Sequence, residues 1–254
     1  RVLIVMVDFD DKKMTKKKQY FEELFFSEGV IPTGSVREYY DEVSNGKVKL
    51  EGEVVGTYRM PLTMKEYAGN GAGIDNEAPN TRTLCQEAAL AAEPDVDFSK
   101  YDNDGNGFVD AFVVVHAGKG SEETGDNNDL WSHKWLLTKS FKTDNTKVYS
   151  YLTVPENCTI GVCAHELGHL LFGFPDLYDD DMSSEGLGTW CLMASGSWNN
   201  DGKTPAHPCA WCKAQQDWVE TVNIDTNRQA FIIEDVKNNH TVYRMWNEGS
   251  KSKE

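Results

Sequence analysis

Apolar and polar positions follow one another in short, readable runs along the 254-residue chain. Residues 2–9, VLIVMVDF, are almost wholly apolar and β-branched, which predicts a strand buried on both faces. A Lys-rich helix should follow, with Tyr20, Phe21, Leu24 and Phe25 at helical spacing and the lysines on its wet side. Ser35, three before Glu38, makes a capping box, and Val36, Tyr39, Tyr40 and Val43 mark one face of the short helix behind it. Asn45-Gly46 turns the chain into an alternating strand over 47–55. Leu84, Ala88 and Ala91 predict a helix over 80–92, ended by Pro94. Residues 111–116 predict a further strand, expected at the edge of a cleft, and GKGSEETGDNND behind it has the composition of an exposed loop. From Val219 onward Phe231, Ile232, Ile233, Val242 and Tyr243 fall in strand-like runs. A boundary near residue 220 is expected, with a first domain over 1–220 and the start of a β-rich, truncated C-terminal region over 221–254.

Composition narrows the classes of partner. Apolar residues make up 39% and charged residues 26%, an ordinary globular balance. The 25 basic against 41 acidic side chains give a net charge of −16, which repels polyphosphates and argues against nucleic acid as a partner. No run approaches the roughly 20 apolar residues of a transmembrane segment. The N-terminus lacks the layout of a signal peptide, so the expectation is a mature, soluble fragment. Of the six cysteines, Cys209-x-x-Cys212 together with Cys158 and Cys163 could form a structural zinc knuckle. Two of the gaps do not suit one, and paired or buried thiols, with Cys85 and Cys191 among them, are the favoured account.

The strongest chemical signal is AHELGHLL. On a helix, His165 and His169 leave the same face and can bind one zinc, while Glu166 stands beside the metal as a general base. A catalytic zinc takes three protein ligands and keeps a position open. Gly173 and Pro175 turn the chain back past the second histidine, bringing Asp176 as the expected third ligand, with Asp179 and Glu185 as substitutes. A second site is DNDGNGFVD: Asp102, Asp104, Asn106 and Asp110 place oxygens around a calcium-sized hole, with Gly107 at the tight turn.

HELGHLLFGFPDLYD, GLGTWCLMASGSWN, SVREYYDEVSNGKVKLEG, YDNDGNGFVDAFVVVHAG, LWSHKW and TPAH occur here in an order that resembles the immune inhibitor A family of secreted bacterial zinc metallopeptidases, zincins related to the metzincins. The resemblance spans most of the chain between Ser35 and Trp218. It implies an α+β fold, a zincin-like metallopeptidase catalytic domain with a mixed sheet and an active-site helix. It further implies a zinc-dependent endopeptidase acting on internal peptide bonds of proteins or peptides, secretion as a precursor, a cleft beneath an edge strand, and Met193 as the methionine turn under the metal. Phe172 departs from the family spacing as a one-residue insertion between the second histidine and Gly173. Tyr178 is a candidate oxyanion donor, and His133 and His207 are further candidates for the oxyanion or for holding a ligand in place. The mechanism expected is attack by metal-activated water with Glu166 as base, in an extracellular or cell-surface setting. The alternative is a secreted, calcium-dependent binding or adhesion module whose zinc helix is only structural.

Overall fold

The unbroken apolar run forms β1 (Val2–Asp8), buried on both faces from Val2 to Val7 as the pattern requires. In the computed structural model the described residues are 1–143, 145–179, 181, 183–224 and 232–245. After β1 come α1 (Lys18–Phe26), α2 (Val36–Val43), β2 (Gly52–Arg59), α3 (Met64–Ala68), α4 (Thr81–Ala92), β3 (Phe112–His116), α5 (Ser121–Thr124), β4 (His133–Lys142) and β5 (Lys147–Pro155). Then follow α6 (Ile160–Phe172), α7 (Ala210–Gln215), β6 (Glu220–Ile224), α8 (Val236–Asn239) and β7 (Thr241–Met245).

The sheet order is β2-β1-β3-β5-β4, parallel throughout except for β4, which runs antiparallel to β5. Alternate residues feed two cores. Val2, Ile4 and Met6 pack with Phe21, Phe25, Tyr40 and α6, whereas Leu3, Val5 and Val7 pack with Met64, Tyr67, Leu84 and Ala88. Helices α1, α2 and α6 therefore cover one face, and α3 and α4 the other. The expected mixed sheet and active-site helix are present, but helices cover both faces of a mostly parallel sheet, so the arrangement is a mixed α/β one and not the α+β class expected. Both halves of the Ser35–Glu38 capping box are made, and an Asn80 cap starts α4.

Several expectations need correction. The strand expected over 47–55 begins at Gly52, because β1 offers its first pairing position there, at Val2 opposite Gly52. Leu50 and Val48 still pack into the α6-side core without a strand partner. The strand over 111–116 is not an edge: β3 lies between β1 and β5, which fits the complete burial of all five residues. The edges are β2 and β4, and it is β4, paired only with β5, that borders the cleft. GKGSEETGDNND is not simply an exposed loop, since it contains α5, a buried Ser121 and the bond Ser121 N–H to Leu130 O of 2.8 Å. Val242 and Tyr243 lie in β7, parallel to β6, but Ile232 and Ile233 are exposed and outside any strand. Phe231 lies outside the described residues.

The thiols sort into local groups. Cys158 and Cys163 have sulfurs 3.2 Å apart, Cys209 and Cys212 3.7 Å, and Cys209 N–H donates to Cys191 Sγ. Among the described residues no cysteine joins a cluster of three metal-binding groups, so the knuckle across Cys158, Cys163, Cys209 and Cys212 is not formed. Apart from half-buried Cys209, all are buried.

Candidate metal centre and active-site cleft

The centre is built on α6, whose residues from Ile160 to Gly168 are buried under β5 and β4. Glycine allows its first turn to approach the loop behind it. A Cβ on Gly161 would lie 1.8 Å from the Ser197 carbonyl oxygen, and its N–H instead donates to Gly202 O at 2.8 Å. The helix ends at Gly173, left-handed with φ 65°, where the N–H groups of Gly173 and Phe174 return to Gly168 O. Phe172 is the last residue of the helix, and its ring packs 4.9 Å from Trp218 and 5.2 Å from Tyr40, which gives it an apolar seat at the helix end.

Past Gly173 the chain turns back as Pro175 predicts, and Asp176 reaches the histidines. The Nε2 atoms of His165 and His169 are 3.1 Å apart, and Asp176 Oδ1 is 3.2 Å from each. The outer nitrogens are already engaged: His165 Nδ1 faces Leu192 O at 2.9 Å, and His169 Nδ1 faces Phe174 O at 2.5 Å. Each Nδ1 therefore carries the proton that it donates to a carbonyl, leaving two Nε2 lone pairs and a carboxylate oxygen aimed at one point. Three converging acceptors without a donor among them repel one another unless a cation lies between. A tetrahedral site with bonds of about 2.0–2.1 Å separates its ligand atoms by about 3.3 Å, so the observed triangle fits zinc in size and in donor chemistry.

Glu166 supplies a second sign. It is buried beside this triangle and lines the same cleft, and its Oε2 has no hydrogen-bond partner among the described residues. Burial pushes its carboxyl up to about 7, against the pull of His165 and His169.

Of the other candidate ligands, Asp179 spends its Oδ2 on the Ser183 hydroxyl and on the N–H and hydroxyl of Ser184. Glu185 is exposed and outside the cluster. Met193 is fully buried beneath α6, with its sulfur 2.9 Å from where a Cβ on Gly168 would stand. Its carbonyl accepts from Leu177 N–H at 2.7 Å, tying the methionine segment to the return that carries Asp176. The Tyr178 ring lies 6.0 Å from that of His165, half-exposed at the cleft. His133 also lines the cleft, but its ring is held by Trp131 O and the Tyr151 hydroxyl. His207 is not in the cleft. Its ring bridges Glu42 and the buried Lys213 ammonium, 2.9 and 2.7 Å away, so it braces the fold and is not an oxyanion donor.

The cleft measures about 670 Å³ and runs beside β4, with Trp131, His133, Lys134 and Trp135 from that side and Val162, Tyr178 and Trp198 also in its lining. Glu122 of α5 borders it and is held by the N–H and hydroxyl of Ser132. Sequence reasoning did not find Glu122 or the Trp rim. The signal available was LWSHKW, whose polar and aromatic alternation suits a strand wet on one side.

In the distant acidic loop three of the four expected groups come together, without the Asn106 oxygen. The carboxylates of Asp102, Asp104 and Asp110 offer oxygens within 4.8 Å of one another. Asp102 and Asp104 accept from Asn106 N–H at 3.0 Å each, and Asp102 from Gly107 N–H at 2.9 Å. The Asn106 side-chain oxygen accepts from Phe108 N–H, so it folds back onto the loop.

Residues 1–224 match the profile of the immune inhibitor A peptidase M6 catalytic domain. The chain is 30% identical over 268 aligned positions to the pre-pro-metalloprotease PrtV of Vibrio cholerae serotype O1, covering 84% of this chain and 29% of that protein. It is 31% identical over 233 positions to immune inhibitor A of Bacillus thuringiensis subsp. alesti, covering 78% of this chain and 34% of that protein. The chain thus spans about a third or less of the length of these curated relatives. With the helix-borne donors, the buried carboxylate and the match over 1–224 in agreement, the chain belongs to the immune inhibitor A peptidase M6 family.

Proposed function

We propose that the chain is the catalytic part of a zinc-dependent endopeptidase, with His165, His169 and Asp176 as metal ligands and Glu166 as general base. The observation that carries this reading is the convergence of three acceptor atoms at 3.1–3.2 Å beside the unpartnered Glu166 oxygen. A metal held there would polarise the scissile carbonyl and make water acidic enough to attack near neutral pH. Glu166 takes the proton from the attacking water and delivers it to the leaving amine nitrogen as the C–N bond breaks. The Tyr178 hydroxyl, whose ring borders the cleft beside that of His165, donates to the oxygen that becomes negative. Leu192 O and Phe174 O hold both imidazoles in the tautomer that leaves Nε2 free. Met193 supports this floor by packing and takes no part in the chemistry.

The free edge of β4 gives an extended substrate a ladder of backbone hydrogen bonds, which favours internal cleavage of unfolded protein or peptide segments. A purely structural zinc helix is disfavoured, because structural sites close with four protein ligands, whereas this one gathers three among the described residues and opens on the cleft. Calcium at Asp102, Asp104 and Asp110 would pin the turn before β3 and offset the mutual repulsion of the carboxylates. The family match supports an extracellular or cell-surface setting, and no helix among the described residues is long and apolar enough to cross a membrane. The separate parallel pair of β6 and β7 supports reading the chain from about residue 221 onward as a region apart from the catalytic domain.

Metal content tests the ligand assignment. After dialysis, the parent should hold one tightly bound zinc and cleave casein. Asp176→Ala should lose affinity by more than about a hundredfold, beyond what an outer partner of a ligand contributes. Asp179→Ala and Glu185→Ala should keep both zinc and cleavage. Retention of zinc by Asp176→Ala, with loss in either of the others, would refute the assignment.

A further inference from the structure

The cleft has a neighbour on the opposite face of the sheet. A cavity of about 310 Å³ lies against α4, lined chiefly by Ile74, Arg82, Trp131, Trp135 and Tyr151. Tyr151 belongs to the α4-side core and stands opposite Trp135 in the β4–β5 register. The two cavities meet at the rim formed by Trp131, His133 and Trp135, while Lys134 lines the metal cleft alone.

Strand addition gives this second cavity a function. In a sheet, residues directly across from one another point to the same face, and successive residues point to opposite faces. A peptide paired with the free edge of β4 therefore turns one side chain toward α6 and the metal. Its neighbours on either side turn toward α4 and the second cavity. The walls of that cavity are mainly aromatic and aliphatic, with room for a phenylalanine or leucine side chain. Its one strong charge is Arg82, whose guanidinium stands 5.7 Å from the Trp135 ring centroid and donates to Asn76 at 3.3 Å. Among the described residues no carboxylate forms an ion pair with it. A cation in a largely apolar pocket repels a second cation at short range, whatever the net charge of −16 does at a distance.

We propose that the α4-side cavity is a second specificity pocket, which takes a bulky apolar substrate side chain and rejects lysine and arginine. The proposal rests on the peptidase reading and on substrate pairing with β4. It assigns Arg82, Trp135 and Ile74 to selectivity, away from the reacting atoms.

A position-scanning library of internally quenched peptides, cleaved by the zinc-loaded full chain, tests it. Profiles are compared for the parent, Arg82→Gln, Trp135→Ala and Ile74→Trp. At a position adjacent to the one facing the metal cleft, the parent should favour Phe or Leu over Lys or Arg by at least about tenfold in kcat/KM. Arg82→Gln should reduce that discrimination to threefold or less. Trp135→Ala should weaken the preference for Phe over Ala, and Ile74→Trp, which fills the cavity, should favour small residues there. The profile at the intervening position should not move in Arg82→Gln or Ile74→Trp, since those two side chains line the second cavity and not the metal cleft. Loss of rate by the same factor for every peptide would mark these residues as merely structural and overturn the proposal, as would equal acceptance of Lys and Phe by the parent. If the zinc-loaded parent cleaves no peptide at all, the peptidase reading itself fails, a separate outcome that overturns the pocket assignment with it.

Discussion

Glu156 is a buried carboxylate outside the reacting centre whose removal has a calculable cost. It follows β5 and is 6% exposed. Its Oε2 accepts from Thr15 N–H, the Thr15 hydroxyl and Lys16 N–H at 2.7, 2.6 and 3.0 Å, and its Oε1 from Gly118 N–H at 2.9 Å. One side chain thus ties the segment before α1 and the turn after β3 to the connection that leads into α6. In Glu156→Gln the single remaining oxygen can serve only one of these two sets, and the amide NH2 then faces a donor. Hydrogen bonds to a charged group contribute about 1.5–3 kcal/mol each, so losing one or two nets about 3 kcal/mol. At about 2–4 °C per kcal/mol for a chain of this size, the unfolding temperature should fall by about 6–12 °C at pH 7. Burial pushes the native carboxyl up, but the donors from Thr15, Gly118 and Lys16 outweigh it and leave it below its ordinary value. Near pH 4 the native state therefore binds fewer protons than the unfolded chain, whose carboxyl titrates near about 4.3. The stabilisation is complete above that pH and is lost as pH falls through the native value, whereas glutamine does not titrate. Circular dichroism melts of both proteins in chelator, at pH 7, 5 and 3.5, should show a gap that is full at pH 7 and narrows at pH 3.5. A gap below about 2 °C at pH 7, or one that does not change with pH, would refute this reasoning.

Tyr178→Phe removes the oxyanion donor while leaving the ring beside His165, so kcat on a peptide substrate should fall by roughly a hundredfold with zinc content unchanged. A variant within threefold of the parent would remove Tyr178 from the chemistry. Stripping calcium with EGTA should lower the unfolding temperature by several degrees, since saturation at about 100 times Kd contributes about 2.7 kcal/mol. Restoration by calcium but not by zinc, and its absence in Asp102→Asn, is the expected pattern; restoration by zinc alone would refute a calcium site.

The sequence was most legible where one local rule and the tertiary packing agree. The β1 run, the Ser35–Glu38 box and the HELGH helix each combine a strong pattern with a buried partner, and each forms where expected. Asp176 was legible because Gly173 and Pro175 dictate the turn, even with Phe172 inserted. Position within the sheet was harder to read. The five residues of β3 carry no polar alternation, which suits a central strand, although the strand over 111–116 was expected at the edge of the cleft. The true edge, β4, mixes exposed Trp135, Leu136 and Lys139 with buried Leu137, and its identity depends on pairing with β5 that no local pattern encodes. The Thr63–Glu66 capping box of α3 was present in the sequence as T-x-x-E and was overlooked. The role of His207 depends on Glu42 and Lys213, which are 165 positions before it and six after it in the chain, and a lone histidine carries no sign of such partners.

The central claim is that Glu166 moves the proton in a metal-assisted peptide hydrolysis, and casein cleavage by the parent and by Glu166→Gln, at matched zinc content and matched unfolding temperature, tests it most directly. The account predicts cleavage by the parent and a loss of at least about a thousandfold in the variant with its zinc retained. Cleavage by Glu166→Gln at a rate near the parent's would contradict it.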